Sequence, residues 1–181
     1  FTTEKEIRSI KTIDDLFNMT PDGKYIVIND LDLREVNRNY TTTFTGEIDF
    51  QGHKVFRNVK GASSYILGTI GSTGVVKNLV LDITIDNTVE RQDWWGFFYE
   101  NYGNINNVMV TLNSSTDYPN VGQSLLIWRN RGVIDTFVIN TKEPIHGLRN
   151  LAIVAVNNYG TIRNGYVYGA GIDASYNNET T

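Results

Sequence analysis

The residues of this chain with the most chemical potential are carboxylates. Asp30, Asp32 and Glu35 fall within the stretch NDLDLRE, and acids so close together could offer oxygen ligands to calcium. The stretch lacks the glycine and spaced acids of an EF-hand loop, so acids at a strand end facing water are the plainer reading. Asp82, Asp86, Asp93, Asp117 and Asp135 could supply the acid and base of a glycosidase, which must hold two carboxyl groups at a set separation. No spacing singles out a pair. The only histidines are His53 and His146, and neither has a glutamate and a second histidine at helical spacing. The zinc-binding His-Glu-x-x-His helix is therefore missing from this sequence. There is no cysteine, which removes disulfides, thiolate ligands and a cysteine nucleophile together. Neither a Gly-x-Ser-x-Gly elbow nor a glycine loop suited to phosphate occurs.

Recognition is better represented. QDWWGFFYENY (92–102) is the most aromatic stretch. Strand alternation places Phe97 and Tyr99 toward an interior, where aromatic side chains fill space. Trp94 and Trp95 stand where a loop ends, with packing against the core as the alternative to exposure. Together with Arg91, Tyr118 and Arg149 they form the expected partner-binding set, because these residue types most often carry interface energy. His146, in KEPIHGLRN, reads as a solvated loop residue.

The elements that would position these groups repeat. GVVKNLVLD (74–82), GNINNVMVT (103–111), GVIDTFVIN (132–140) and GTIRNGYVY (160–168) share one frame, with steps of 29, 29 and 28 residues between their glycines. A constant step of this size marks a repeat architecture. Four residues after each glycine stand Asn78, Asn107, Thr136 and Asn164, and the β-branched runs around them read as short strands. Asn101, Asn130 and Asn158 precede the last three glycines by two residues, with Ser72 in that place in the earlier copy.

Strand, Asn-x-Gly bend, strand and loop is the pattern of a parallel β-helix. The expected fold is all-β, a right-handed parallel β-helix with a short N-terminal capping helix. Glycine is expected at the bend for its freedom to adopt positive φ. Coils about 4.8 Å apart would stack the asparagines into a ladder of amides, which Thr136 would interrupt on the following strand. The step from Asn58 to Asn78 suggests a minimal coil of 20 residues. Longer coils would insert loops near Asp86–Trp95, Asn113–Gln123 and Thr141–Asn150, all on one edge. In KTIDDLFNM, Thr12 and Asp15 resemble a capping box, with Ile13, Leu16 and Phe17 at helical spacing. The expected division is an N-terminal segment with the capping helix, 1–23, and the β-helix, 24–181, continuing in a longer chain.

The net charge is −4 with a pI near 5.1, and no basic run occurs. Nucleic acid and anionic membrane are thus not expected partners, and no stretch is long enough to insert as a spanning helix. The four Asn-x-Ser/Thr sequons (Asn18, Asn39, Asn113, Asn178) carry no weight in a chain with 21 asparagines.

IKTIDDLFNMTPDGKYIVINDLDL, then FTGEIDFQGHKVFRNV (44–59), then repeated Gly-x-Ile-x-Asn segments resemble the β-helix region preceding the protease domain in immunoglobulin-A-protease-like zinc metalloproteases of Gram-positive cocci. The resemblance covers nearly the whole chain. Phe50 is a departure, since related β-helices often carry glycine there. The resemblance implies a non-catalytic module of a secreted or cell-surface zinc metalloendopeptidase, acting as spacer or substrate-positioning surface. Zinc is then expected in a catalytic domain elsewhere, with no cofactor in this segment. The partner would be a protein substrate or a host surface protein, and the location extracellular, secreted or anchored to the cell wall through segments outside this one. A surface adhesin is the alternative, and a polysaccharide-active β-helix enzyme a weaker one. The absence of a zinc-ligand pattern predicts that zinc added to the purified chain leaves its melting temperature unchanged. A tight, stoichiometric zinc site in calorimetry would overturn this.

Overall fold

The structure, a computed structural model, describes residues 3–59, 65–86, 94, 96–115, 123–146 and 150–173. Strand β1 (Ile7–Ile10) comes first, followed by helix α1 (Ile13–Phe17), β2 (Lys24–Val27) and β3 (Leu31–Asp32). One full coil is then wound by β4 (Glu47–Asp49), β5 (Lys54–Val59) and β6 (Leu67–Ile70). The next is wound by β7 (Val75–Lys77), β8 (Val80–Ile85) and β9 (Phe98–Asn101). Above it, β10 (Asn104–Ser115) runs through the first two legs of its coil and is followed by β11 (Gln123–Ser124) and β12 (Ile127–Asn130). The order ends with β13 (Val133–Thr141), β14 (Ile145–His146), β15 (Leu151–Ala152), β16 (Ala155–Asn158), β17 (Thr161–Gly169) and β18 (Ile172–Asp173).

Every strand pair is parallel, and each coil lies in register on the one before, so the chain is a parallel β-helix. On the first leg Tyr25, Ile48, Val76, Ile105, Ile134 and Ile162 form one inward column. Leu31, Val55, Leu81, Val110, Ile139 and Val167 form the second. Leu67, Phe98, Ile127 and Ala155 form the third, on the separate sheet β6–β9–β12–β16. Most of these side chains are fully buried, and each contributes about 1.5–3 kcal/mol relative to exposure.

The repeated glycines have a different physical reason from the expected one. Gly74, Gly103, Gly132 and Gly160 do not have positive φ. A Cβ on Gly103 would lie 2.2 Å from the carbonyl oxygen of Gly74, one on Gly132 2.2 Å from that of Gly103, and one on Gly160 2.2 Å from that of Gly132. The coils approach too closely for any side chain. The column also extends further down than the sequence frames indicate, since a Cβ on Gly46 would meet the carbonyl oxygen of Gly23 at 1.9 Å. The left-handed residues are instead Asn78, Asn107, Thr136 and Asn164, with φ between 52° and 60°. They bend the chain between the first and second legs. Asparagine accepts this conformation more readily than other non-glycine residues.

Two amide ladders follow. Asn101 Nδ2 donates to Asn130 Oδ1 at 2.8 Å, and Asn130 Nδ2 to Asn158 Oδ1 at 2.8 Å, as the spacing indicates. Below Asn101, however, the register neighbour is Ile70 rather than Ser72, because extra residues (71–73) intervene before Gly74. On the left-handed column Asn107 Nδ2 donates to Asn78 Oδ1 at 2.7 Å and Asn78 Nδ2 to Asp49 Oδ1 at 2.8 Å. Thr136 does not continue this ladder. Its Oγ1 bonds Asp135 in its own coil, and Asn164 above also donates to Asp135.

The minimal coil is longer than 20 residues. Asn58 lies beside Thr84 and not Asn78, and, apart from the turn through α1 that sets Arg8 beside Tyr25, the shortest step is from Tyr25 to Ile48. At the N-terminus, Asp15 N donates to Thr12 Oγ1 and Thr12 N to Asp15 Oδ2, so the capping box is formed. Leu16 and Met19 enter the core. The sheet starts before this helix, since β1 pairs with β2; the boundary expected at residue 23 therefore does not separate helix from sheet.

Two substitutions test this account. Asn130 is fully buried and bonds both neighbouring amides, so Asn130→Ala should cost about 1–3 kcal/mol in denaturant unfolding. Thr136 is exposed, β-branched and left-handed, so Thr136→Asn should stabilise by about 1 kcal/mol, read in the same way.

Candidate recognition surface

The third sheet is built from four-residue strands. β9 and β12 each have a buried residue at both ends and two half-buried ones between, so two adjacent side chains per coil reach the outer face. Tyr99 and Trp128 share one position of that face, and Glu100 and Arg129 the next. Tyr99 therefore does not point into the core as alternation suggested. Its ring lies 5.3 Å from that of Tyr65, whereas Phe97 and Phe98 are fully buried.

The adjoining corner carries a column made by the middle residue of each Asn-x-Gly: Tyr102, Arg131 and Tyr159. The Arg131 guanidinium carbon sits 4.8 Å from the Tyr159 ring centroid and 6.0 Å from that of Tyr102. This is the geometry of a cation held between aromatic faces. Glu100 lies beneath. Its Oε1 accepts from Arg131 Nε at 3.1 Å, from Tyr102 Oη at 3.1 Å and from Arg129 Nη1 at 3.4 Å. Two guanidinium groups thus share one carboxylate, which leaves the patch positive. Tyr159 remains 66% exposed and Tyr102 45%. Ordered arginine beside exposed tyrosine is the composition of an interface centre. The sequence carries the signal as NYG, NRG and NYG, in the residue between the asparagine and the glycine that mark the repeat.

The sequence-derived partner set fares differently. Trp94 is fully buried; its carbonyl oxygen accepts from Ser124 N at 2.9 Å, and the Arg57 guanidinium lies 5.4 Å from its ring. It belongs to the packing of the coil and offers no surface to a partner. Arg91, Trp95, Tyr118 and Arg149 lie outside the described residues, as do Asp93 and Asp117. Arg57 is itself nearly buried, with Nη1 donating to the carbonyl oxygens of Leu33 and Val36 at 3.0 and 2.6 Å; burial draws its pKa down to about 10.

The acids singled out by the sequence serve the scaffold. Asp30 Oδ1 accepts from Lys54 N at 2.8 Å. Asp32 pairs with Arg34, whose hydrogen bonds hold its carboxyl down to about 2. Asp82 accepts from Asn113 Nδ2. Asp135 is held below the usual carboxylate range by Asn164 and then Arg163. Among the described residues no three His, Asp or Glu side chains gather as a metal site. His146 is not a solvated loop residue: it lies in β14, is half-buried, and has Nδ1 3.5 Å from Asp173 Oδ2. A shallow cleft of about 340 Å³ follows the left-handed corner, lined by Asp49, Gln51, Asn78, Asn107, Val80 and Met109, but Asn78 and Asp49 are engaged with each other there.

Among the described residues no helix is long and apolar enough to cross a membrane. Comparison with protein-family models, with curated proteins and with solved structures finds no match.

Proposed function

We propose that this chain is a non-catalytic β-helix module that presents the outer face of its third sheet to a protein partner. The observation that carries the reading is the Tyr102–Arg131–Tyr159 stack over Glu100, an ordered, partly exposed, net-positive aromatic patch. The scaffold suits this role, because parallel pairing fixes each side chain one coil from the next and limits the entropy lost when a partner docks. The likeness of the opening segments to the β-helix region of immunoglobulin-A-protease-like enzymes supplies the setting. In it the module would position a protein substrate for a zinc metalloendopeptidase domain carried elsewhere on a longer, extracellular chain. An adhesin would use the same patch on a host protein without any protease.

The test is kinetic. In a polypeptide joining this module to such a domain, Arg131→Ala with Tyr159→Ala should raise KM for the protein substrate about tenfold or more. Turnover of a short peptide should be unchanged, since it would not reach the patch. Equal KM for the protein substrate, with the fold intact by circular dichroism, overturns the reading. Lack of a zinc domain, with direct binding to a host protein lost in the same variants, selects the adhesin.

A further inference from the structure

The two arginines of the corner patch have donors left over. Arg131 gives Glu100 only its Nε, and among the described residues its Nη1 and Nη2 meet no acceptor. Arg129 gives Glu100 only Nη1, at 3.4 Å. Both guanidinium groups reach the same carboxylate oxygen, so they lie close together, and their side chains are 41% and 33% exposed. The neighbouring columns add no charge. Thr69 lies below Glu100 and Asn157 above Arg129. On the first leg, just past the corner, stand Val75, Asn104, Val133 and Thr161. Within these columns the two arginines and Glu100 leave one net positive charge.

That remainder selects one chemistry. The two Nη groups of a guanidinium form a planar fork that matches the two oxygens of a carboxylate. A single carboxylate balances the patch, whereas a phosphate, at about −1.5 to −2, overfills it beside Glu100. Arg131 lies against the rings of Tyr102 and Tyr159 from between them, so their outer sides remain for apolar groups flanking the acid. Resting on the reading of this face as a protein-binding surface, we infer that Arg129 and Arg131 seat one carboxylate of an extended, acidic segment of the partner protein. Apolar or aromatic side chains two residues to either side of that acid pack on Tyr102 and Tyr159. Alternate residues of an extended chain point to one face about 6.6 Å apart, against about 4.8 Å between coils, which carries the flanking groups past Arg131 to the rings. The net charge of −4 does not exclude an acidic partner, because at physiological ionic strength charges beyond about 8 Å are largely screened and the local pair decides.

The probe is an end-blocked peptide of sequence Tyr-Ser-Glu-Ser-Tyr, titrated to millimolar concentration into the isotope-labelled intact chain and followed by NMR. The side-chain Nε signal of Arg131 should shift saturably. Glutamine in place of the peptide's glutamate should weaken binding about fivefold or more, and so should Arg131→Gln in the chain, read on the backbone signals of β12. The same spectra report whether the variant keeps its fold. No saturable shift at Arg131 overturns the proposal, as does undiminished binding to the Arg131→Gln chain. Tighter binding of a peptide with phosphoserine in the central place assigns the fork to phosphate and overturns it too. Equal affinity for the glutamate and glutamine peptides, with both lost in Arg131→Ala with Tyr159→Ala, also overturns it but leaves the face a protein-binding surface that does not read charge. That broader reading stands or falls separately, on the KM for the protein substrate.

Discussion

The structure depends on a contact in which nothing is allowed to intervene. Along the column from Gly46 to Gly160 successive backbones come so near that a single methyl group would lie between 1.9 and 2.5 Å from a carbonyl oxygen of the coil below. In a solenoid each coil touches only its neighbours, so one such column fixes the height of every coil and the phase of the next. Strand register has a period of two, and a slip by one residue would turn the inward columns outward. The glycines prevent that slip sterically before any side chain has to discriminate. Once the coils are phased, asparagines two residues upstream fall within hydrogen-bond reach of one another, and residues four downstream meet at the bend.

Much of this was legible in the sequence, in uneven ways. The 29-residue step, the Asn101–Asn130–Asn158 ladder and the Thr12 cap follow from residue type and spacing alone, because each rests on contacts that recur or are local. The role of the glycines was not legible. A glycine needed for close approach looks the same in sequence as one needed for positive φ, and only the stacking geometry separates the two. The lower coils depart from the sequence pattern for a related reason. In the coil below Asn78 the left-handed residue is Gln51, one past the level of Asn78, and residues 71–73 shift Asn101 onto Ile70, so matching letters and matching positions diverge. Alternation misplaces Tyr99 because it does not hold strictly in a four-residue strand with buried residues at both ends.

Charge plays a secondary part in the scaffold and a different one on its surface. Lys77 spans to Glu47 at 2.6 Å and Arg163 to Asp135 at 2.8 Å, each joining neighbouring coils along the first leg. Glu47 raises the Lys77 pKa, chiefly through that hydrogen bond. Such partly exposed pairs add little stability each, because water screens them and ordering two long side chains has an entropic cost. They do favour one vertical neighbour over another. Glu100 differs in being nearly covered, so its carboxylate organises three donors at once and orients Arg131 between the two rings.

That contrast bears on placing the proposed recognition surface on the third sheet. Outward side chains of the first leg and its corner are spent on one another: Asn107 on Asn78, Asn78 on Asp49, Lys77 on Glu47, Asn164 on Asp135. A partner there would have to replace bonds already made, and a desolvated group left without its partner costs more than a new contact returns. On the third sheet the amide ladder faces inward and is satisfied within the coil stack, with Asn101 and Asn130 fully buried. Its outer positions bear Tyr99, Trp128 and Arg129, and Arg129 pairs with Glu100 of the coil below. The residue between asparagine and glycine is the extreme case. Both flanking positions are fixed by stacking, yet its own side chain points to solvent, and it is there that Tyr102, Arg131 and Tyr159 stand in line.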